Sequence, residues 1–245
     1  MKKITLAIIG NIHPEKVKFA IDTSTKAVEN HIEDVYVKAD QTFSIDTYSD
    51  FCLKELINHI KTDFVMIVQY DGMAVKSNFW NDDFFNYDYI GASWPSRFTW
   101  ISDSENVGNG GFSLRSMKLL TALKDDTIQR KRNDIRFDYE DAAICLGYRK
   151  YLMENHDIKF APKNVADTFS HEWCNPTGNS LGFHGIWNTP LFFDENVVID
   201  LVKDIPATYW YADRFEMFKE MCNNKRYFQA KMLVVNKLME HLSNK

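Results

Sequence analysis

Short apolar runs alternate with helical patterns up to residue 72, and this alternation constrains the fold more than any other feature of the sequence. The runs Ile4–Ile9, Asp34–Val37 and Phe64–Val68 have the composition and length of buried strands. Between them, apolar residues at helical spacing follow Pro14, which opens one helix, and Ser49, which is the predicted cap of another. A strand–helix–strand–helix–strand order predicts an α/β fold with parallel strands and right-handed crossovers.

The rest of the chain is less regular and is expected to complete the same architecture. A strand is predicted at Tyr87–Ser93, and helices at Ser116–Leu123 and Tyr139–Tyr151. We therefore expect one domain over residues 1–194, with a central, mostly parallel sheet flanked by helices. A mainly helical C-terminal extension, residues 195–245, is expected to pack on the same domain.

The charge balance argues against nucleic acid as the main partner. The chain has 29 Lys and Arg against 34 Asp and Glu, a formal net charge of −5, whereas a phosphate-binding surface needs clustered cations. The tight basic cluster Arg130-Lys131-Arg132 is predicted to be a solvated loop or helix end. We expect no nucleic-acid partner.

Cysteine spacing and the N-terminal residues bear on the compartment. Cys52, Cys145, Cys174 and Cys222 form no Cys-x-x-Cys pair, which argues against a zinc finger or redox motif, and the first two are predicted core residues. The apolar run after Met1-Lys2-Lys3 is too short for a membrane span and lacks a small-residue cleavage site. The expected location is therefore the reducing cytoplasm, with no membrane span.

A carboxylate follows the most apolar run, in Gln69-Tyr70-Asp71-Gly72. Ligands of open α/β sheets bind outside the carboxyl ends of the strands, which is where Asp71 is predicted to lie. A nucleotide diphosphate needs its charge neutralised, and a divalent cation held by this carboxylate would do that. The alternative is an ordinary Asp-Gly turn after a strand.

A glycine-rich segment runs from Gly108 to Arg115 (GNGGFSLR). Three glycines in four residues allow the backbone to approach a ligand closely and to present its N–H groups. The spacing fits neither the Rossmann fingerprint nor the P-loop. A β-bulge or a tight turn is the alternative.

Acidic residues open a predicted helix in Asp138-Tyr139-Glu140-Asp141. A carboxylate there can accept a hydroxyl proton late in a transfer reaction, when the attacking oxygen has become acidic. Helix capping is the alternative and explains at least one of these acids.

His184 lies in the segment Gly182-Phe183-His184-Gly185, beside glycines that offer little side-chain packing. A neutral imidazole in such a position can bind a metal ion. The alternative is a hydrogen-bonded loop histidine.

Taken in this order, the segments resemble glycosyltransferases of the GT-A type. More narrowly, they resemble a little-characterised family in which that fold forms a short stand-alone domain, with a helix beginning near Tyr48. The resemblance covers roughly residues 4–187, and the Gly-Asn-Gly-Gly-Phe loop is its most specific part. The matching segments are Gln69–Asp71, Tyr87–Trp94, Gly108–Arg115, Glu140-Asp141 and Phe169–Glu172.

The resemblance implies roles for the matching residues. In GT-A enzymes a strand-end Asp-x-Asp holds the cation that bridges the donor's phosphates; Asp71 matches the second Asp, and Gln69 replaces the first. His184 matches a late histidine that completes the coordination of the Mn²⁺ or Mg²⁺ ion. Asp141, in the pair Glu140-Asp141, matches the general base of inverting members.

The resemblance also implies two binding regions. Trp94 and Glu140 are expected to contact the acceptor, and Glu140 is the second candidate catalytic residue. The nucleotide-sugar donor is expected to contact Gly10, Asn11, Tyr48, Gln69, Asp71, Asn109, Gly110 and Gly111.

The expected function is transfer of a sugar from a nucleotide-sugar to a hydroxyl group of a carbohydrate or another acceptor, with inversion. A nucleotidyltransferase on the same scaffold is one alternative, because fold resemblance does not fix the reaction. A non-catalytic sugar- or protein-binding domain is another, and the missing first Asp of the metal motif supports it.

Overall fold

The two most apolar runs of the sequence form neighbouring strands within a five-stranded sheet. β1 (Ile4–Gly10) pairs in parallel with β3 (Phe64–Val68) on one side and with β2 (Ile32–Ala39) on the other. β6 (Ser113–Ser116) runs antiparallel to β3, and β5 (Tyr89–Ile90) runs antiparallel to β6. The order β2-β1-β3-β6-β5 confirms the α/β class and the three parallel neighbours, with two antiparallel strands added.

The structure is a computed structural model, and the residues that it describes form two compact units, one within Met1–His184 and one within Gly185–Lys245. The domain boundary predicted after residue 194 stays a prediction. Most of the expected C-terminal extension lies outside the described residues. These are 2–10, 14–39, 43–96, 98–102, 104–173, 178–202, Cys222, Tyr227 and Lys231.

Helices and short helical turns make up most of the remaining regular structure among the described residues. α1 (Pro14–Ala27) begins at Pro14, as predicted, and buries Val17, Ala20 and Ser24. Short segments of 3₁₀ or π geometry occupy Phe51–Glu55, Leu56–His59, Ser77–Phe79, Asp82–Asn86, Ala143–Gly147 and Ile186–Leu191. The other helices are α2 (Ile45–Asp50), α3 (Met117–Ala122), α4 (Glu140–Ala142), α5 (Arg149–His156), α6 (Lys163–Phe169) and α7 (Glu195–Val202).

A second, three-stranded sheet joins segments that are distant in sequence. It consists of β4 (Gly72–Ala74), β8 (Gly182–His184) and β7 (Ser170–His171), in the order β4-β8-β7. β4 is antiparallel to β8, and β7 is parallel to β8. Because β4 follows β3 after a turn of three residues, this small sheet continues from the carboxyl end of the central one.

The core of the first unit contains the predicted cysteines. Cys52 and Cys145 are both buried among apolar side chains as free thiols, which confirms that assignment. Within the described residues, no helix combines the length and the apolarity that crossing a lipid bilayer requires.

Three local predictions are corrected by the structure. α2 begins at Ile45 rather than after Ser49, because Ser44 caps it; Ser49 lies inside the helix. The helix predicted over Tyr139–Tyr151 is broken into α4, a π turn and α5. The strand predicted at Tyr87–Ser93 is present only as the two residues of β5, and Ser93 forms an isolated bridge.

The basic cluster is also not uniformly solvated. The side chain of Arg130 is 5% exposed, whereas that of Arg132 is 67% exposed. Acidic residues from other segments surround Arg130, and sequence-local reasoning does not detect such partners.

The cap assignment gives a stability test. The Ser44 side chain accepts the backbone N–H of Thr47, and the Thr47 side chain accepts that of Ser44, which is a complete capping box. We expect Ser44→Ala to lower the free energy of unfolding by about 1 kcal/mol. Urea denaturation would measure this change.

Ser49→Ala is the matched control for the cap. The Ser49 hydroxyl is buried and has no hydrogen-bond partner among the described residues, so its removal should leave stability unchanged or slightly higher. A larger loss of stability in Ser49→Ala than in Ser44→Ala would indicate that Ser49 is the cap, as the sequence suggested.

Candidate functional site

The predicted site segments meet at one edge of the central sheet. β1 and β3 are parallel, so Gly10, which ends β1, and Gln69, which follows β3, lie at the same edge. β6 is antiparallel to β3 with Ile67 opposite Ser113, so Gly111, which precedes β6, lies at that edge too. The carboxyl edge of the parallel strands is where open α/β sheets bind ligands.

A tight turn places Asp71 beside His184. Gln69 and Gly72 exchange two backbone hydrogen bonds, of 2.6 and 3.1 Å, around Asp71. Gly72 then pairs with His184 across β4 and β8. As a result, Oδ1 of Asp71 lies 3.9 Å from Nε2 of His184. The Asp-Gly turn is present, and it also positions a carboxylate.

Hydrogen bonds connect the side chains of this region into one network. The Gln69 amide donates to the Tyr48 hydroxyl at 3.3 Å, and its oxygen lies 3.2 Å from Nε2 of His184. Nδ1 of His184 lies 3.0 Å from Oε1 of Glu172. Asn109 donates to Oε2 of Glu172 at 2.6 Å. The network therefore runs from α2 through β3 and β8 to the glycine-rich loop.

Burial and charge shift the two groups at the turn. Burial raises the pKa of Asp71, Glu172 adds to that rise, and His184 opposes it. Burial lowers the pKa of His184, but the Glu172 carboxylate, followed by Asp71 and Asp141, raises it to about 9. His184 therefore carries a proton near neutral pH when no cation competes for its lone pair.

The glycine-rich loop passes too close to its neighbours for larger residues. A Cβ on Gly111 would lie 2.0 Å from Nε2 of His184, and a Cβ on Gly110 would lie 2.4 Å from Oε1 of Glu140. A Cβ on Gly108 would lie 2.2 Å from the Trp94 ring. The three glycines are required because the loop is pressed against the side chains of the network and of α4.

Glu140 and Asp141 are neighbours in different environments. Oε1 of Glu140 accepts from Nη2 of Arg115 at 2.8 Å, with both side chains almost fully buried. Oδ2 of Asp141 accepts the Gly110 N–H at 3.1 Å, and its Oδ1 accepts the Ala142 N–H at 2.7 Å. Glu140 is thus neutralised by an arginine, whereas Asp141 is held by backbone amides.

The environment of Asp141 suits a proton acceptor. Burial and the neighbouring Glu140 raise its pKa to about 7, although Ala142, Gly110 and Arg115 oppose the rise. A carboxyl group with a pKa near neutrality can exchange protons at physiological pH. Capping does not explain the arrangement fully, because one carboxylate oxygen is bonded to the loop rather than to the helix.

These groups line an open cleft of about 450 Å³ with polar side chains at its floor and apolar ones around it. Its volume is within the range of small-molecule sites. Trp100, Ile135, Tyr139 and Ile45 line it and remain between 40% and 58% exposed. The lining residues are Ile45, Tyr48, Gln69, Trp94, Trp100, Asn109, Gly111, Ile135, Tyr139, Glu140, Asp141, Ala142, Glu172, Trp173 and His184.

Most of the predicted site residues come together here. Gly110 and Asp71 are not in the lining, but they contact or approach residues that are. Gly10 ends β1 with a positive φ of 137° and does not line the cleft, and Asn11 lies outside the described residues. The predicted residues in the lining are Tyr48, Gln69, Trp94, Asn109, Gly111, Glu140, Asp141 and His184.

Two residues of the site were not assigned roles from the sequence. Glu172 connects His184 to Asn109, and Arg115 neutralises Glu140. Both stand at the ends of segments that carried the family resemblance, Phe169–Glu172 and Gly108–Arg115, and that position was the available signal.

The residues present fit a cation only together with a phosphate ligand. Within the described part of the chain, no group of three or more His, Cys, Asp and Glu side chains is arranged to hold a metal ion. Oδ1 of Asp71, however, is buried without a hydrogen-bond partner among the described residues, and it faces His184. Mg²⁺ and similar ions are commonly held by one or two carboxylates plus substrate phosphates, and this turn supplies one carboxylate toward such a set.

Comparison with solved structures gives distant likenesses. One is the crystal structure of a glycosyltransferase involved in the glycosylation of the major capsid of PBCV-1, at 14% identity and a TM-score of 0.47, covering 74% of this chain and 92% of that one. Another is A197 from STIV, at 15% identity and a TM-score of 0.35, covering 66% of this chain and 83% of that one.

Comparison of the sequence with known families gives a firmer result. No curated protein matches the chain. A family model matches residues 17–184, a segment that contains α2, the turn at Asp71, the glycine-rich loop, α4 and His184. The match covers well over half of the chain, and the chain therefore belongs to the family described as "Protein of unknown function (DUF5672)".

Proposed function

We propose that this protein transfers a sugar from a nucleotide-sugar donor to a hydroxyl group of an acceptor, with inversion at the anomeric carbon. The observation that carries the proposal is Asp141, a carboxylate in the cleft wall whose pKa is raised to about 7 and which is oriented by two backbone N–H groups. It faces a cleft that also contains Gln69, His184 and the glycine-rich loop.

The role of Asp141 is that of general base. It accepts the proton of the acceptor hydroxyl while that oxygen forms a bond to the anomeric carbon. The bond from this carbon to the diphosphate oxygen breaks, and its electron pair leaves with the diphosphate. A base with a pKa near the working pH is the most effective compromise between being deprotonated and holding the proton strongly.

On the donor side, Asp71 and His184 would hold a divalent cation, Mn²⁺ or Mg²⁺, delivered with the nucleotide. Such an ion supplies positive charge that stabilises the leaving diphosphate. Gln69 is engaged by Tyr48 and His184, so its role is to orient these two side chains. Asn109 fixes the loop through its bonds to Glu172 and to the Gly111 N–H.

On the acceptor side, the aromatic part of the cleft wall suits a carbohydrate. Trp94 lines the cleft and packs against Gly108, which fixes the ring relative to the loop. Indole and phenol rings offer flat apolar faces with a polar edge. Glu140 was expected to contact the acceptor, but its bond to Arg115 favours a role in orienting the loop.

Donor titration separates this function from its alternatives. Calorimetry with a panel of nucleotide-sugars, with and without Mn²⁺, is followed by an assay of sugar release. Binding with slow hydrolysis of the sugar supports a transferase. Turnover of a nucleoside triphosphate would indicate a nucleotidyltransferase, and absence of nucleotide binding would indicate a binding domain.

The first catalytic test is Asp141→Asn. Because it removes the proton acceptor and keeps the side chain's shape, transfer should fall by about 10²- to 10⁴-fold while donor affinity is retained. Progress curves with a binding donor, together with calorimetry on the same variant, would measure both. Normal turnover in a protein of lower melting temperature would make Asp141 a helix cap only.

Glu140→Gln is the neighbouring control. It weakens the buried pair with Arg115, so its main effect should be a lower melting temperature, with turnover per folded molecule reduced less than in Asp141→Asn. If Glu140→Gln loses more transfer than Asp141→Asn at equal stability, the two assignments must be exchanged.

The second test is the pH profile of turnover. Transfer requires ionised Asp141, so its rate should rise about tenfold from pH 6 to pH 8 and level off above, with one apparent pKa near 7. Glu140, Arg115 and His184 are the charged groups around it and enter into that apparent value. A flat profile across this range would exclude Asp141 as the base.

The stability of the fold should change in the opposite sense as the pH rises toward 7. The native Asp141 holds its proton up to about pH 7, whereas an unfolded Asp loses it near pH 4. This carboxyl group therefore stabilises the fold most at low pH; the contribution is lost between about pH 4 and pH 7 and does not change further above pH 7. Asp141→Asn should remove this part of the pH dependence of the melting temperature.

The third test concerns the cation. Asp71→Asn should weaken Mn²⁺-dependent nucleotide binding by about one to a few kcal/mol, as expected for loss of a charge-assisted contact. Glu154→Gln removes the same charge from an exposed surface pair and is the matched control. Unchanged calorimetric affinity in Asp71→Asn would remove Asp71 from the site.

A further inference from the structure

Arg130, the first residue of the basic cluster, uses its whole hydrogen-bonding capacity inside the protein. A guanidinium group has five N–H donors. Nη1 donates to the Asp46 carbonyl at 2.8 Å and to Oδ1 of Asp50 at 3.2 Å. Nη2 donates to Oδ1 of Asp46 at 2.6 Å and to Oδ1 of Asp138 at 3.2 Å, and Nε donates to the Asp138 carbonyl.

The partners of Arg130 belong to two segments that are far apart in sequence. Asp46 and Asp50 lie on α2, and Asp138 lies two residues before α4. The separations in sequence are 84 and 80 residues to α2 and 8 residues to Asp138. One buried side chain therefore ties α2 to the approach of the α4 helix.

Each of these segments carries one wall of the cleft. α2 carries Ile45 and Tyr48, and Tyr48 accepts the hydrogen bond of Gln69. The segment after Asp138 carries Tyr139 and Asp141. Since Asp138 is held through both its backbone carbonyl and its carboxylate, the position of the chain that enters α4 is fixed relative to α2.

We propose that Arg130 is a positioning residue that holds Asp141 in place relative to the wall of the cleft formed by α2. This inference rests on the proposed function, because it assigns to Asp141 the role of base. It does not require Arg130 to contact either substrate: every donor of its side chain is engaged within the protein.

The neighbouring Arg132 provides an internal comparison. It reaches the same Asp46, at 3.5 Å between Nη1 and Oδ2, but from a side chain that is 67% exposed. Exposed pairs of this kind contribute little because solvent screens them and the side chain loses entropy. If Arg130 had only a surface role, substitution of either arginine would have a similarly small effect on the rate of transfer. A positioning role predicts that only substitution of Arg130 lowers that rate.

The experiment compares Arg130→Lys, Arg130→Met and Arg132→Met in the full chain. Lysine keeps the charge and offers three donors from one atom, so it cannot bridge both segments in the same geometry. We expect kcat for transfer to fall by about 10- to 100-fold in both Arg130 variants, the size of loss that small misplacement of a catalytic group produces. Arg132→Met should stay within about twofold of the wild type.

The pH profile distinguishes positioning from general loss of folded protein. In Arg130→Lys, which keeps the charge, displacement of Asp141 should expose it further to the water of the cleft, so the apparent pKa of the turnover limb should move from about 7 toward that of an ordinary carboxyl. A variant of which a smaller fraction is folded has a lower maximal turnover rate, but the midpoint of its pH profile stays the same. Unchanged midpoint and kcat in Arg130→Lys, measured at a temperature where it is folded, would overturn the proposal.

A measurement without substrate separates this inference from the proposed function. The carboxyl ¹³C resonance of Asp141 can be titrated by NMR in the wild type, in Arg130→Lys and in Arg132→Met. A lower midpoint in Arg130→Lys alone supports positioning even if no donor is ever turned over, in which case the proposed function fails and the positioning stands. Equal midpoints in all three proteins would overturn the positioning role.

Discussion

The buried ion pair between Arg115 and Glu140 fixes the floor of the cleft. Arg115 has no exposed side-chain surface, its Nη2 lies 2.8 Å from the glutamate, and its Nε donates to Ser113 at 3.1 Å. Removing one partner from such a pair costs about 3–5 kcal/mol, because the other charge stays buried without compensation. The pair holds β6 against the start of α4, and the loop before β6 is thereby held against Asp141. The hydrogen bond from the Gly110 N–H to Asp141 depends on that arrangement.

The parts of the fold that could be predicted from the sequence are those that local interactions determine. β1, β3 and α1 were predicted because an apolar run or an apolar face at a regular period marks each of them. The cap of α2 was misplaced because Ser44 and Ser49 are both acceptable cap residues, and only Ser44 has the reciprocal Thr47 three positions later. Local signals therefore identified the elements better than their boundaries.

The candidate site was predictable as a set of residues and not as a geometry. His184 and Gln69 are 115 residues apart, and they meet because three-residue strands, β4 and β8, pair in one register. Strands that short leave no periodic pattern in the sequence. Glu172 went unassigned for the same reason, since its role depends on contacts with His184 and Asn109 that exist only after folding.

The acids around the cleft acquire different roles because arginines occupy some of them and not others. Glu140 forms an ion pair with Arg115, and Arg130 forms ion pairs with Asp46, Asp50 and Asp138. The hydrogen bond from Arg130 lowers the pKa of Asp46, which makes that carboxylate a poor proton acceptor. Asp141 is bonded to neutral amides, and burial together with Glu140 makes its charge costly. The two arginines thus pair with the acids around the cleft, and neither donates a hydrogen bond to Asp141. The family resemblance already implied Asp141 as the base, and this distribution of partners supports that proposal.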